Sequence, residues 1–311
     1  MSRERLVAER RSTLRAAIGG GVVAGVLLGP AWGLADSAVG DRLAALWQAM
    51  DTPPTLVLST AEDPLVEGSN ITISSNAIYV DHERMVPLQP SGGQAAIPEA
   101  MMRGQLIMPL YDHLTEQRYT SQLLSALATG EEAPASVLLS VDEATPFSVL
   151  RPVMYTAWQA RYGSFQVVVH NPWMGQLAAT QLSLPVIGPP RPVEDERPPL
   201  ALSLLVSADK LSILGAGDLS RDLPCQGGCA DVDDYDWEAL SELLGHIKDE
   251  HPDDVTIIVV PDGQIRHDVV IRAVDVARWA PMSPASDAAL QAWQAERRTL
   301  FPAPIVAGGA M

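Results

Sequence analysis

The chain has 311 residues. This is about twice the roughly 150 residues of a typical domain, so two domains are expected. Its 38 Asp and Glu residues outnumber its 21 Lys and Arg residues, and the net charge of −17 at pH 7 disfavours binding of nucleic acid through phosphate neutralisation. Two cysteines exclude a disulfide scaffold and a cysteine-rich metal module.

The amino terminus has the pattern of a membrane anchor. Residues 1–15 form a basic segment with five arginines against two glutamates. The next 20 residues, Ala16 to Ala35, carry no formal charge. As a helix this segment would span about 30 Å, which is one hydrocarbon thickness. Because a positive flank stays in the cytoplasm, we expect a single-pass protein of the bacterial inner membrane with its carboxy-terminal bulk in the periplasm.

A cleaved export signal is the alternative interpretation of the same segment. Six glycines and Pro30 dilute the apolar run. Gly33-Leu34-Ala35 is a small-x-small cleavage site, and Arg10-Arg11 resembles a twin-arginine signal. Cleavage after Ala35 would leave a soluble periplasmic protein.

Proline-rich stretches divide the exported part of the chain. Residues 36–54 are expected to be a linker that ends in Asp51-Thr52-Pro53-Pro54, and residues 185–199 form a second linker with six prolines. The two remaining pieces, residues 55–184 and 200–311, are the expected domains.

These two pieces resemble each other in sequence. Ile73–Val80 aligns with Val206–Ile213, and each predicts a hairpin with a turn centred on Asn or Asp. An amphipathic helix is predicted to follow in each piece, over Leu106–Leu124 in the first and Asp236–Lys248 in the second. Self-similarity of this kind indicates an internal repeat.

The strongest similarity follows, at an offset of 120 residues. Val137–Asp142 corresponds within one position to Ile257–Asp262, a buried strand ending at an Asp, and the offset continues through a helix to Ala157 and Ala277. A β-branched strand follows at Ser164–Val169. In the second piece a helical insertion is expected over residues 286–300, before a strand at residues 304–306. The predicted fold is therefore α/β, with two tandem β-β-α-β-α-β units, each one sheet with two helices on one face.

This pattern resembles the ExbD/TolR family, the small partner subunits of proton-driven motors of the inner membrane. The resemblance rests on Leu139–Phe147 with the helix through Ala157, and on Ile258–Ile265 with the helix through Ala277, which look like the family's strand, acidic turn and "vmdaA" helix. It covers roughly residues 55–171 and 200–280. It implies a non-enzymatic role in biopolymer transport or envelope energisation, with an ExbB/TolQ-like channel subunit as partner.

The chain departs from the family in two respects. Family members relay protons through a carboxylate within the transmembrane helix, whereas no side chain from Ala16 to Ala35 can ionise. Asp36 is the weak remaining candidate, and an interfacial carboxylate is its simpler interpretation. The tandem arrangement is the second departure. We therefore expect a divergent member without cofactor or enzymatic activity, whose exported domains bind protein or envelope partners and whose repeats pair with each other or with a second copy.

Other candidate residues concern disulfide bonding and interfaces. Cys225 and Cys229 flank Gln-Gly-Gly, and a structural disulfide is expected there, with free thiols and redox or metal chemistry as alternatives. An exposed strand edge is expected at Phe165, Val167 and Val169, where a partner strand would add. The interface candidates Trp158 and Trp279 lie near the ends of predicted elements, and packing in the core is their alternative role. No metal site is predicted.

Overall fold

The fold is mixed α/β, as expected. A computed structural model describes residues 34–128, 130, 135–183, 200–217, 219–225, 228–280, 293–294 and 296–307. The basic segment 1–15, residues 16–33 of the expected anchor and the linker 185–199 lie outside the described residues. Most of the insertion expected over residues 286–300 also lies outside them. The described helices are α1 (Leu34–Gln48), α2 (Met108–Ala128), α3 (Phe147–Gln159), α4 (Trp237–Glu250) and α5 (His267–Arg278).

The first large sheet has six strands in the order β10-β9-β8-β1-β2-β3. Its strands are β1 (Ser69–Ile73), β2 (Ala77–Val80), β3 (Glu83–Pro87), β8 (Ser136–Val141), β9 (Ser164–Asn171) and β10 (Gln176–Leu182). Strands β1, β8 and β9 run parallel, and the others pair antiparallel. Two small hairpins lie between β3 and α2, formed by β4 (Gln89–Ser91) with β5 (Gln94–Ala96) and by β6 (Met102–Arg103) with β7 (Leu106–Ile107).

The second large sheet has five strands in the order β13-β12-β11-β14-β17. Its strands are β11 (Ser203–Val206), β12 (Lys210–Gly215), β13 (Leu219–Pro224), β14 (Ile258–Pro261) and β17 (Ile305–Val306), while β15 (Trp279–Ala280) and β16 (Arg298–Thr299) form a separate pair. Strand β17 coincides with the strand predicted over residues 304–306. Read from the β13 end, this order repeats β3-β2-β1-β8-β9 of the first sheet. We call residues 55–183 the first half and residues 200–307 the second half.

Strand β9 lies inside its sheet, so the predicted exposed edge is wrong. It pairs with β8 on one side and with β10 on the other. Phe165, Val167 and Val169 are buried in the core. The sequence signal was ambiguous because a β-branched run marks a buried strand without indicating whether another strand follows. Here β10 returns antiparallel and occupies the position that was expected to be open.

Helix α1 changes the expected layering. Residues 36–54 were expected to be a linker, but Leu34–Gln48 is helical and covers the face of the first sheet turned away from α2 and α3. Leu43 is fully buried there in one apolar cluster with Leu138 and Val168. The first half is therefore three layers deep where two were predicted. None of the helices among the described residues has both the length and the apolar character needed to cross a membrane.

Helix α4 begins as the sequence predicts. The carboxylate of Asp236 accepts a hydrogen bond from the main-chain N–H of Ala239 at 3.0 Å, which is an N-cap. Trp237, Leu240 and Leu244 then bury the inner side of the helix. The acidic run before Trp237 thus serves as a helix start.

One buried apolar cluster runs through both halves. It joins the inner faces of the two sheets with the buried sides of α2, α3, α4 and α5. A continuous core of this kind couples the stability of its parts, because neither half can lose its packing without exposing the other.

We therefore expect the two halves to unfold together. Calorimetry should show a single transition whose calorimetric and van't Hoff enthalpies agree. Two separated transitions would contradict the shared core.

Candidate functional site

The two halves meet through a pairing of equivalent loops. Pro146 and Arg266, 120 positions apart, form an antiparallel bridge. Phe147 N–H donates to the carbonyl of Ile265 at 2.8 Å, and His267 N–H donates to the carbonyl of Thr145 at 2.8 Å. Each bond becomes the other when 120 is added to one residue and subtracted from its partner. This reciprocity is the pattern of a two-fold symmetric contact.

The next pair of bonds follows the same rule. Ser148 N–H donates to the carbonyl of Gly263 at 2.8 Å, and Asp268 N–H donates to the carbonyl of Glu143 at 3.1 Å. These donors stand in the first turns of α3 and α5, where main-chain N–H groups have no partner within the helix. Neither helix has a side-chain N-cap. Each half therefore caps a helix of the other half.

A buried carboxylate on α5 fastens the second half to the start of the first half. Asp275 accepts hydrogen bonds from the Ser59 hydroxyl at 2.9 Å and from the Thr60 N–H at 3.1 Å. Burial raises the pKa of the Asp275 carboxyl, and the hydrogen bond from Thr60 opposes that shift. The contact is specific to this side of the interface, because the equivalent position on α3 is Tyr155.

Two arginines of the second half add further links. Arg278 donates to the Thr180 hydroxyl and to the Gln181 carbonyl on β10. Arg297 forms an ion pair with Glu62 at 2.6 Å, and its guanidinium lies 4.4 Å from the centre of the Trp279 ring. Trp279 thus contributes to the contact between halves within one chain.

His267 is fully buried at the centre of this pairing. Neither ring nitrogen has a hydrogen-bond partner. Burial lowers the pKa of the imidazole from 6.5 to about 3, so the ring is neutral in the folded protein. Its equivalent across the two-fold relation is Phe147, which is also buried. A polar ring therefore occupies a site that the other half fills with an apolar one.

Asp268, the next residue, is buried beside a cation. Burial raises the pKa of its carboxyl to about 6, although the Arg266 guanidinium at 2.6 Å opposes the shift. Its equivalent in α3 is Ser148. The interface is thus two-fold in its main chain and asymmetric in its side chains.

The Asp carboxylates in the turns after β8 and β14 differ in their hydrogen-bond partners. The Asp142 carboxylate accepts hydrogen bonds from the N–H groups of Thr55 at 3.0 Å and Ala144 at 3.1 Å. The equivalent Asp262 is exposed and lines a cleft of about 300 Å³ between the halves. Among the described residues no group donates a hydrogen bond to its carboxylate. This cleft and the paired loops beside it are the candidate functional site.

The interface and disulfide residues predicted from sequence lie apart from this cleft. Trp158 is 46% exposed on α3, and its ring centre lies 6.2 Å from that of Tyr155, so its role at an interface stays a prediction. Cys225 and Cys229 are joined by a disulfide after β13. Asp36 falls in the first turn of α1, and its side chain lies outside what the structure describes.

Three polar residues occupy neighbouring positions of the first sheet. Ser140 lies on β8, Asp142 directly follows that strand, and His170 lies on the adjacent β9, but no hydrogen bond links their side chains. The Ser140 hydroxyl is buried without a partner, and burial lowers the pKa of His170. Within the described residues no three His, Cys, Asp or Glu side chains are grouped as metal ligands are.

Sequence reasoning missed the residues that join the halves. Two signals were available. Asp275 and Arg278 are charged residues among the many apolar ones of α5, and Pro146 and Arg266 are poor N-caps at the start of two helices of matching sequence. An uncapped helix start indicates that another element supplies the missing acceptors.

The two Asp turns provide a matched pair of substitutions. We expect Asp142→Ala to lower the free energy of unfolding by about 1–3 kcal/mol, because two main-chain N–H groups lose their acceptor. Asp262→Ala should change it by less than about 0.5 kcal/mol. Urea unfolding of both variants tests this. Equal losses of unfolding free energy would contradict the difference in hydrogen bonding between the two carboxylates.

His267 makes folding sensitive to acid. Between pH 6.5 and about 3 the unfolded state binds a proton at His267 that the folded state does not, so stability falls as the pH falls through this window. Asp268, whose pKa is raised, has the opposite effect on stability as the pH falls. Its contribution cancels when the unsubstituted chain is compared with His267→Phe, because both proteins contain Asp268. The advantage of His267→Phe over the unsubstituted chain should therefore grow by about 1.4 kcal/mol per pH unit below pH 6.5.

Urea unfolding from pH 7.5 to pH 4 measures this slope. His267→Leu is the control for overpacking, since it removes the same titrating group with a smaller side chain. A difference in stability that is independent of pH in both variants would show that His267 is not buried in the neutral form.

Comparison with known proteins assigns no family to this arrangement. No protein-family model matches the chain, and neither does any curated protein.

Proposed function

We propose that the chain is a non-enzymatic protein of the bacterial inner membrane, anchored by Ala16 to Ala35. Its exported part would consist of two tandem ExbD/TolR-like units paired within one chain. In this role the exported units bind protein or envelope partners, and the anchor contacts an ExbB/TolQ-like channel subunit. Nucleic acid is not among the expected partners, because the net charge is −17.

The reciprocal pairing at Pro146 and Arg266 is the observation that carries this proposal. The two halves have sheets of matching strand order, and a loop of each half caps a helix of the other. This is the contact expected of two copies of one unit. Placing both copies on one chain makes that contact independent of protein concentration. The arrangement thus supports a scaffold with two linked, unequal binding faces.

The composition of the anchor does not support a proton-relaying role for this chain. Because Ala16 to Ala35 contains no ionisable side chain, proton transfer within the membrane has no residue of this segment to carry it. Asp36 follows the segment, at the expected membrane surface. We therefore propose an accessory role beside a channel, in which the exported units transmit or receive force.

A soluble exported binding module is the second candidate. The small-x-small site at Gly33-Leu34-Ala35 and the Arg10-Arg11 pair favour it. In that case the same paired units would act in the periplasm without a motor.

Mass and location of the mature protein in its source organism distinguish the two. We expect an intact chain of 33.3 kDa in the inner-membrane fraction that is released only by detergent. A chain that begins at Asp36 and leaves with the periplasmic contents would overturn the anchored role and establish the soluble one.

Replacing Ala16–Ala35 with an unrelated cleavable signal provides the control. This variant should be soluble. That result would show that the segment alone retains the protein in the membrane. Retention of the variant in the membrane would contradict the anchor and indicate binding through the exported units.

A further inference from the structure

The first half holds a piece of extended chain at its Asp turn. The N–H of Thr55 donates to the Asp142 carboxylate at 3.0 Å, and the carbonyl of Thr55 accepts from the N–H of Glu143 at 2.8 Å. Both bonds use main-chain atoms of Thr55. The turn therefore recognises a peptide unit and not a particular side chain.

The residues after Thr55 continue in the same manner. The carbonyl of Val57 accepts from His170 N–H at 2.9 Å, and Ser59 N–H donates to the carbonyl of His170 at 3.1 Å. The segment thus lies as a short added strand against the end of β9, and it reaches α5 through the Ser59 hydroxyl.

The two-fold relation places a second turn of the same build at Asp262 and Gly263. In each turn the Asp N–H donates to the last residue of the neighbouring strand, at 2.8 Å for Asp142 and 2.9 Å for Asp262. Asp262 and Gly263 correspond to Asp142 and Glu143, the two residues that hold Thr55. Among the described residues no group donates to the Asp262 carboxylate or accepts from the Gly263 N–H.

An open cleft of about 300 Å³ lies at this second turn. Met102, Phe147, Ser148, Arg151, Asp262 and Gly263 are among the residues that line it. The volume is at the lower end of the roughly 300–1,000 Å³ of ligand pockets, so it suits a short segment of chain. The cleft is continuous with the paired loops, because Ser148 N–H donates to the Gly263 carbonyl in its wall.

We propose that this cleft binds an extended polypeptide segment of a partner protein through its main chain. A peptide N–H donates to the Asp262 carboxylate, and the carbonyl of the same residue accepts from the Gly263 N–H, as Thr55 does at the first turn. Met102 and Phe147 pack against the apolar side chains that flank this residue. The inference goes beyond the proposed function, and it holds whether or not the anchor is retained.

Two features favour a partner segment over the chain's own linker. Ser183 pairs with Ile305, whose N–H bonds to Ile257, and Leu200 N–H bonds to Asp254. Both ends of the linker therefore lie near the start of β14, whereas Asp262 follows its end. Main-chain recognition at an open turn also suits a partner that presents an extended strand.

The chain's own segment provides the probe. A fluorescein-labelled peptide with the sequence of residues 52–58, Thr-Pro-Pro-Thr-Leu-Val-Leu, is titrated with the detergent-solubilised full chain, and its anisotropy is measured. We expect saturable binding that weakens at least about tenfold in Asp262→Ala and in Ser148→Trp, which fills the cleft. Asp262→Asn keeps an acceptor oxygen and should lose less. Asp253→Ala, an exposed residue outside the cleft lining, should bind like the unsubstituted chain.

A modified peptide tests the main-chain contact itself. Methylation of the peptide nitrogen of its fourth residue, which corresponds to Thr55, removes the hydrogen that the Asp262 carboxylate would accept. Binding should then fall at least about tenfold. Binding that survives this methylation, or equal affinities of Asp262→Ala and the unsubstituted chain, would overturn the proposal.

Two further results complete the test. Thermal unfolding of each variant should match that of the unsubstituted chain, so that lost binding is not lost folding. If the unsubstituted chain shows no saturable binding but a variant lacking residues 185–199 does, the linker fills the cleft and the proposal is overturned. Location of the protein in the cell does not enter this measurement, so its failure and that of the proposed function are distinguishable.

Discussion

Reciprocal capping of α3 and α5 is the constraint on which the rest of the molecule depends. The first-turn N–H groups of a buried helix need acceptors, and here each half obtains them from the loop of the other. The loops must therefore approach in antiparallel register, which fixes the two sheets relative to each other. The continuous core, the buried Asp275 contact and the cleft at Asp262 all follow from that fixed relation.

The side chains at this contact have diverged while the main chain has not. Phe147 corresponds to His267, and Ser148 corresponds to Asp268, which has Arg266 beside it. Burial of an unpartnered imidazole costs free energy that an apolar ring would not. At these two paired positions the second half thus carries the titratable side chains, His267 and Asp268, and the first half carries Phe147 and Ser148.

Much of the fold could be predicted from the sequence, because the repeat appears in local patterns. The strand before Asp142 and its equivalent before Asp262 were identified by apolar runs that end at a turn, and helix α4 was identified by its amphipathic spacing. The pairing partner of a strand and the role of α1 are long-range properties. Residues 36–54 have a weak pattern of their own, so only contact with Leu138 and Val168 reveals why Leu43 is apolar. The site was missed for the same reason, since its hydrogen bonds join residues far apart in the sequence, such as Ser148 with Gly263 and Asp268 with Glu143.

Among the residues that the structure describes, α1 covers the first sheet and not the second, and this difference has an evolutionary consequence. In a homodimer every substitution appears twice, so neither face can change without the other. On a tandem chain each copy mutates alone, and the outer face of the second sheet carries Leu214, which is 40% exposed, and the half-buried pair Leu205 and Val260. One sheet of such a chain can therefore acquire a helix that covers it while the other sheet changes under separate selection.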